Sequence, residues 1–150
     1  MSLFTDSDLV GISDLDVYES TLSKTASSHG INLSSKTVIA LAAISDKLLG
    51  RLQHISRTTI FIDPALNGTQ QGSYRGWSLN NVVVTAPLRR WLSYEILSQV
   101  FAEAYNLQLN DRFKAKWMEY SGRASEAERN VYELGIGSFE IHCLVLRMPR

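Results

Sequence analysis

Between Pro87 and Asn106 the chain reads PLRRWLSYEILSQVFAEAYN, and this stretch restricts the fold more than any other. Leu88, Trp91, Leu92, Tyr94, Ile96, Leu97, Val100, Phe101, Ala104 and Tyr105 recur at helical spacing around most of a cylinder. Only Glu95, Gln99, Glu103 and Asn106 make a polar stripe, and it is narrow. A helix apolar over most of its circumference must be covered on several sides, so it sits at the centre of a bundle or is buried again by a partner. Thr85 as N-cap and Pro87 in the first turn give it a clean start, and we expect a helix over about 87–107.

Three further helices follow from periodicity and caps. Ser13 as N-cap, Asp14 and Asp16 in the first turn, and Leu15, Tyr18, Leu22 and Ala26 at helical spacing predict a helix over 14–28, stopped by Gly30. Ser34 or Ser35 opens a second at 35–56, with Val38, Leu41, Leu48, Leu52 and Ile55 as its stripe and Ile44 and Leu49 widening it. Gly50 weakens that helix unless a neighbour packs closely there. Asn110 or Asp111 opens a last helix at 110–134. Its apolar positions Phe113, Trp117, Tyr120, Ala124, Ala127, Val131 and Leu134 alternate steps of four and three, a heptad-like seam. The short connection at 107–110 makes the last two helices an antiparallel hairpin.

The segment 57–86 is different. RTTIFIDP is β-branched and aromatic, LNGTQQGSYRGW is glycine-rich, and Val82, Val83 and Val84 follow. Two strand-like pieces around a glycine-rich tip predict a β-hairpin arm over about 58–85, longer than an ordinary helix–helix connection. Tyr74, Arg75 and Trp77 beside its tip suit a protein interface. After Gly135 and Gly137, residues 139–146 read as an extended apolar run, a C-terminal tail that must be buried on its own domain or on another chain. The expected fold is therefore mainly α: a four-helix bundle in a single domain of 150 residues, with an arm at 57–86 and an extended tail at 135–150.

The residues do not supply a reaction. Cys143 follows His142, but adjacent residues of a strand point to opposite faces, so they make a poor nucleophile–base pair. His29 and His54 lie near helix ends, and the single cysteine rules out an internal disulfide. There is no HExxH, no metal-ligand spacing, no GxxxxGK[ST] and no GxGxxG opening a helix, so no metal or cofactor is expected. The helix carboxylates Glu95, Glu103, Glu119, Glu126 and Glu128 read as solvated surface. The formal net charge is zero, which argues against a protein that holds nucleic acid chiefly by its phosphates. No run is long and apolar enough to span a membrane, and the acidic start does not resemble a signal peptide, so a protein made in a cytoplasm is expected.

Charge is nonetheless divided along the chain. Residues 1–20 hold Asp6, Asp8, Asp14, Asp16 and Glu19 and no Lys or Arg. Arg89, Arg90, Arg112, Lys114 and Lys116 come later, and Arg147 and Arg150 close the chain. Solvated helix ends account for this. So does an acidic face that meets a basic face on a neighbouring copy.

The stretch 80–137, from NNVVVTAPLRRW through AYNLQLNDRFKAKW to YELGIG, resembles the C-terminal half of head-to-tail connector proteins, the neck adaptors of tailed bacteriophages. The strand–Pro–helix lead-in, the aromatic helix around Trp91 and the closing MPR carry the resemblance, and the first 60 residues share only helical order. The resemblance implies a non-enzymatic virion protein of the neck, made in the host cytoplasm. Copies would form a ring on the portal protein, typically a dodecamer, which extends the DNA channel and offers a platform to the next neck or tail protein. DNA would be passing cargo, and neither membrane nor cofactor would be involved. On that reading Phe139, Ile141, Leu144, Val145, Leu146, Arg147, Met148 and Arg150 of the tail dock on the portal. Tyr74, Arg75 and Trp77 touch adjacent copies or the next ring, and Asp14, Asp16, Arg89 and Arg90 supply charge between copies. A neck stopper or tail-completion protein, or a helical regulatory or nucleic-acid-binding module, is the alternative.

Overall fold

The computed structural model describes residues 4, 9–58, 79 and 82–134, with the side chains of 52–58 excepted. These residues are mainly helical: α1 is Ile12–Tyr18, α2 Leu22–His29, α3 Leu33–Thr58, α4 Ala86–Gln108 and α5 Asp111–Leu134. None of these helices is long and apolar enough to cross a membrane.

The central position expected for α4 is observed. It packs against all four other helices, most extensively against α5. Trp91, Leu92, Ile96, Leu97, Val100, Phe101 and Ala104 are buried, and Glu95, Gln99 and Glu103 on its polar stripe are only partly exposed. Ser93 and Ser98 are buried as well, and the Ser93 hydroxyl donates to the Arg89 carbonyl at 2.9 Å, so its polar atom is satisfied within the helix. The α4–α5 hairpin turns on Leu109, in the left-handed region (φ 51°), and on Asn110, whose side chain accepts the Arg112 N–H at 2.9 Å to cap α5.

Three expectations are corrected at the N-terminal side. The helix expected over 14–28 is two helices. The apolar stripe runs straight through, but Glu19 leaves the helical region (φ −145°, ψ 94°) and the chain resumes at Leu22. The break lets Leu15 and Leu22 both reach the core while the Glu19 carboxylate turns toward α5. The first cap is Gly11, not Ser13: Asp14 accepts the Gly11 N–H at 2.9 Å, so the acidic residue closes the turn. The α3 cap is Asn32 rather than Ser34 or Ser35, its side chain accepting the Ser35 N–H at 3.3 Å. Gly30 stops α2 as expected. It sits at φ 66°, and the next N–H, from Ile31, reaches back to Ala26 O at 2.9 Å in a Schellman arrangement that buries Ile31.

The β-hairpin expected over 58–85 is not supported. Thr58 closes α3, and residues 59–78, 80 and 81 lie outside the described residues. Of the valines, Val82 is buried and its carbonyl accepts the Phe4 N–H at 2.8 Å, so the segment before α4 is fastened to the N-terminal segment. The tail 135–150 also lies outside the described residues. On α5 the seam is buried at Tyr120, Ala124, Ala127 and Val131, half-buried at Phe113 and Trp117, and exposed at Leu134.

Candidate interaction site

Among the described residues, a largely buried polar constellation joins the break between α1 and α2 to α5. The Glu19 side chain is 12% exposed. It accepts from Lys116 Nζ at 2.5 Å, from the Tyr120 hydroxyl at 3.0 Å and from Thr21 Oγ1 at 2.6 Å. Burial acts to raise the Glu19 pKa, but the hydrogen bonds from Lys116, Thr21 and Tyr120 and the Lys116 charge outweigh it, and the carboxyl lies below its ordinary range. Burial and the Glu19 carboxylate push the Tyr120 phenol well above its ordinary value. Held ionised by an ammonium and a phenol, the Glu19 carboxylate ties the break between α1 and α2 to α5.

Around it runs an aromatic seam. Tyr18 meets Tyr94 edge-on at 5.2 Å, Phe101 stacks on Tyr120 at 5.6 Å, and Tyr105 stacks on Trp117 at 6.2 Å. His29 lies edge-on to Phe113 at 5.2 Å, which gives it a packing role at the end of α2. His54 lies in α3 with its side chain outside what is described, and His142 and Cys143 lie outside the described residues. No cluster of His, Cys, Asp and Glu that could hold a metal occurs among the described residues.

The divided charge is partly spent inside the chain. Glu19 from the acidic start pairs with Lys116 from the basic part, Lys36 with Glu103, and Lys47 with Glu128. Glu103 and Glu128 are thus interhelical partners rather than free surface, and Glu119 pairs with Arg123 along α5 at 2.6 Å. Asp14 and Asp16 lie on α1, and Arg89 and Arg90 at the start of α4. No ion pair joins the first two to the last two among the described residues. Arg89 and Arg90 border a recess of about 330 Å³ with Tyr18, Val84, Thr85 and Ala86. The predicted arm contacts Tyr74, Arg75 and Trp77 and the predicted tail contacts Phe139, Ile141, Leu144, Val145, Leu146, Arg147, Met148 and Arg150 lie outside the described residues.

Two apolar surfaces escape a reading by sequence. A groove of about 440 Å³ runs between α1 and the first three turns of α3, lined by Val10, Gly11, Ile12, Leu15, Leu33, Ser34, Thr37, Val38 and Leu41. Ile12 and Val38 in it are 52% and 67% exposed. At the α4–α5 turn Leu107 and Leu109 are 58% and 72% exposed. Val38 reads in sequence as part of the inward stripe of its helix, whereas in the fold it borders a groove whose other side is lined from α1.

No family model, curated protein or solved structure matches this chain.

Proposed function

We propose that this chain is a structural component of a phage neck, an adaptor that forms a ring between the portal and the next neck or tail protein. The observation that carries the reading is the resemblance of residues 80–137 to such adaptors, over the Val82–Thr85 lead-in, α4 and α5. The composition and site chemistry are in keeping with it: the polar cluster at Glu19 is a clamp, and Leu107, Leu109, Ile12 and Val38 stand out as exposed apolar side chains. In this proposal the protein is not an enzyme and needs no cofactor. The tail 138–150 reaches the portal, and residues in 59–78, among them Tyr74, Arg75 and Trp77, meet an adjacent copy or the next ring. DNA crosses the ring as cargo.

The test is an affinity pull-down of the tagged chain from cells producing particles, with partners identified by mass. A stoichiometric portal-sized chain, lost on deletion of 138–150, is the expected result. Recovery of nucleic acid, or of a small ligand without any virion chain, overturns the proposal and moves a helical binding module to first place.

A further inference from the structure

We infer that the groove between α1 and α3 of one copy receives the α4–α5 turn of another, with Leu107 and Leu109 entering it and the flanking charges of the two surfaces pairing. The inference rests on the ring reading above and names the contact that would build the ring.

The turn is unusual as a piece of surface. Leu109 stands in the left-handed backbone region, which disfavours a residue with a Cβ, and yet its side chain is 72% exposed. Leu107, two residues earlier, is 58% exposed. Within its own chain the pair buries little of its apolar area, so the chain bears the backbone cost without a matching gain in packing. The groove is the reciprocal surface. Ile12 and Val38 lie open on it, while Leu15 forms its floor. Its volume is that of an ordinary binding pocket.

Charge selects the second copy as occupant. On the α1 side the Asp14 carboxylate accepts the N–H of the lining residue Gly11 at 2.9 Å. Asp16, one turn beyond Ile12, accepts from Ser23 Oγ on α2 at 3.2 Å, and residues 1–20 contain no base. Lys36, the nearest base on α3 in sequence, is neutralised by Glu103. The turn is followed by Arg112 and Lys114, both exposed, against one acid, Asp111. Lys116, the next base, is already held by Glu19. An apolar groove with an acidic flank thus faces an apolar projection with a basic one. The two are different surfaces of one chain, so the contact is head-to-tail and propagates, as a ring requires.

The test uses full-length chains with Cys143→Ala, one population carrying Ser34→Cys beside the groove and the other Asp111→Cys beside the turn. A short thiol-reactive cross-linker is added to each population and to their mixture. The expected result is a covalent dimer in the mixture, with little in either population alone. Leu109→Asn in the turn population, a change that keeps the left-handed conformation accessible, should lower the yield about tenfold with unchanged circular dichroism. Asp16→Lys should lower it as well, and Arg112→Glu in the opposite population should restore it. No dimer in the mixture, dimers formed equally within one population, or a yield indifferent to Leu109→Asn would overturn the contact. Failure of the two readings is distinguishable. Mixed dimers without capture of a portal chain sink the adaptor reading alone, and capture of a portal by chains that do not cross-link sinks this contact alone.

Discussion

Removing the Glu19 carboxylate tests whether the polar clamp holds the N-terminal helices to the bundle. In Glu19→Ala three hydrogen bonds are lost, but they do not count equally. Thr21 is exposed and re-bonds with water. Lys116, with a third of its side chain exposed, can turn outward, so its pair with Glu19 is partly screened by solvent. Tyr120 is 4% exposed and keeps only a long contact of 3.4 Å to the Tyr18 carbonyl. A buried hydroxyl stripped of its charged partner costs about 1–3 kcal/mol. Adding a discounted share for Lys116, we expect a loss of about 2–3 kcal/mol, a fall in Tm of about 5–10 °C. Urea denaturation followed by far-ultraviolet circular dichroism measures it, and a cycle with Tyr120→Phe isolates the coupling, expected at about 1 kcal/mol or more. A loss below about 0.5 kcal/mol, or additivity with Tyr120→Phe, would refute the clamp. The sign with pH follows from the lowered pKa of Glu19. Its contribution is present above the ordinary carboxylate value of 4.5 and is lost as pH falls through the lower folded value. Glu19→Gln should therefore show a flatter acid limb than the parent.

At the alkaline end the sign reverses. Burial and the Glu128 carboxylate push Tyr132 up to about 12, so stability should fall as pH rises above the ordinary phenol value of 10.0, and Tyr132→Phe should flatten that limb in denaturation titrations. Thr85→Ala removes the oxygen that accepts the Leu88 N–H at 3.4 Å and should cost about 1 kcal/mol by urea midpoint; no change would mean that Pro87 alone starts α4. Gly122 lies inside α5, and a methyl group in place of its hydrogen would meet no neighbouring atom within 4 Å, so Gly122→Ala should stabilise by about 0.5–1 kcal/mol, read as a raised Tm. Gly50→Ala in α3 meets the same open space and should behave alike.

What was legible in the sequence was local. Thr85 before Pro87, and Gly30 after the last apolar position of its helix, mark ends because the cap and the stop lie within a few residues of the groups they satisfy. The apolar circumference of α4 announced its central place. The seam of α5 gave Tyr120, Ala124, Ala127 and Val131 as its buried side. The break at Glu19 was not legible, since Leu15, Tyr18, Leu22 and Ala26 keep helical spacing across it. What turns the chain there is Lys116, 97 positions away. The caps at Gly11 and Asn32 were misplaced by two or three residues for a simpler reason. Each lies among several polar side chains able to cap, and packing of the helix face picks one. The candidate contact surface was the least legible part. Its groove takes its lining from both α1 and α3, which the sequence alone does not bring together, and its leucines look like ordinary helix-end residues until the turn between α4 and α5 sets them outward.

The hub position of α4 has a consequence for the order in which the chain folds. Its largest contact is with α5, across a turn of two residues, so that hairpin closes with almost no loop entropy to overcome. Docking α3 must instead close the stretch from Thr58 to Ala86. Because that entropic cost grows only with the logarithm of loop length, at about 0.6 kcal/mol per doubling, the stretch between α3 and α4 can be lengthened greatly without unseating either helix. Growth at the junction between α3 and α4 is therefore expected to cost the bundle little.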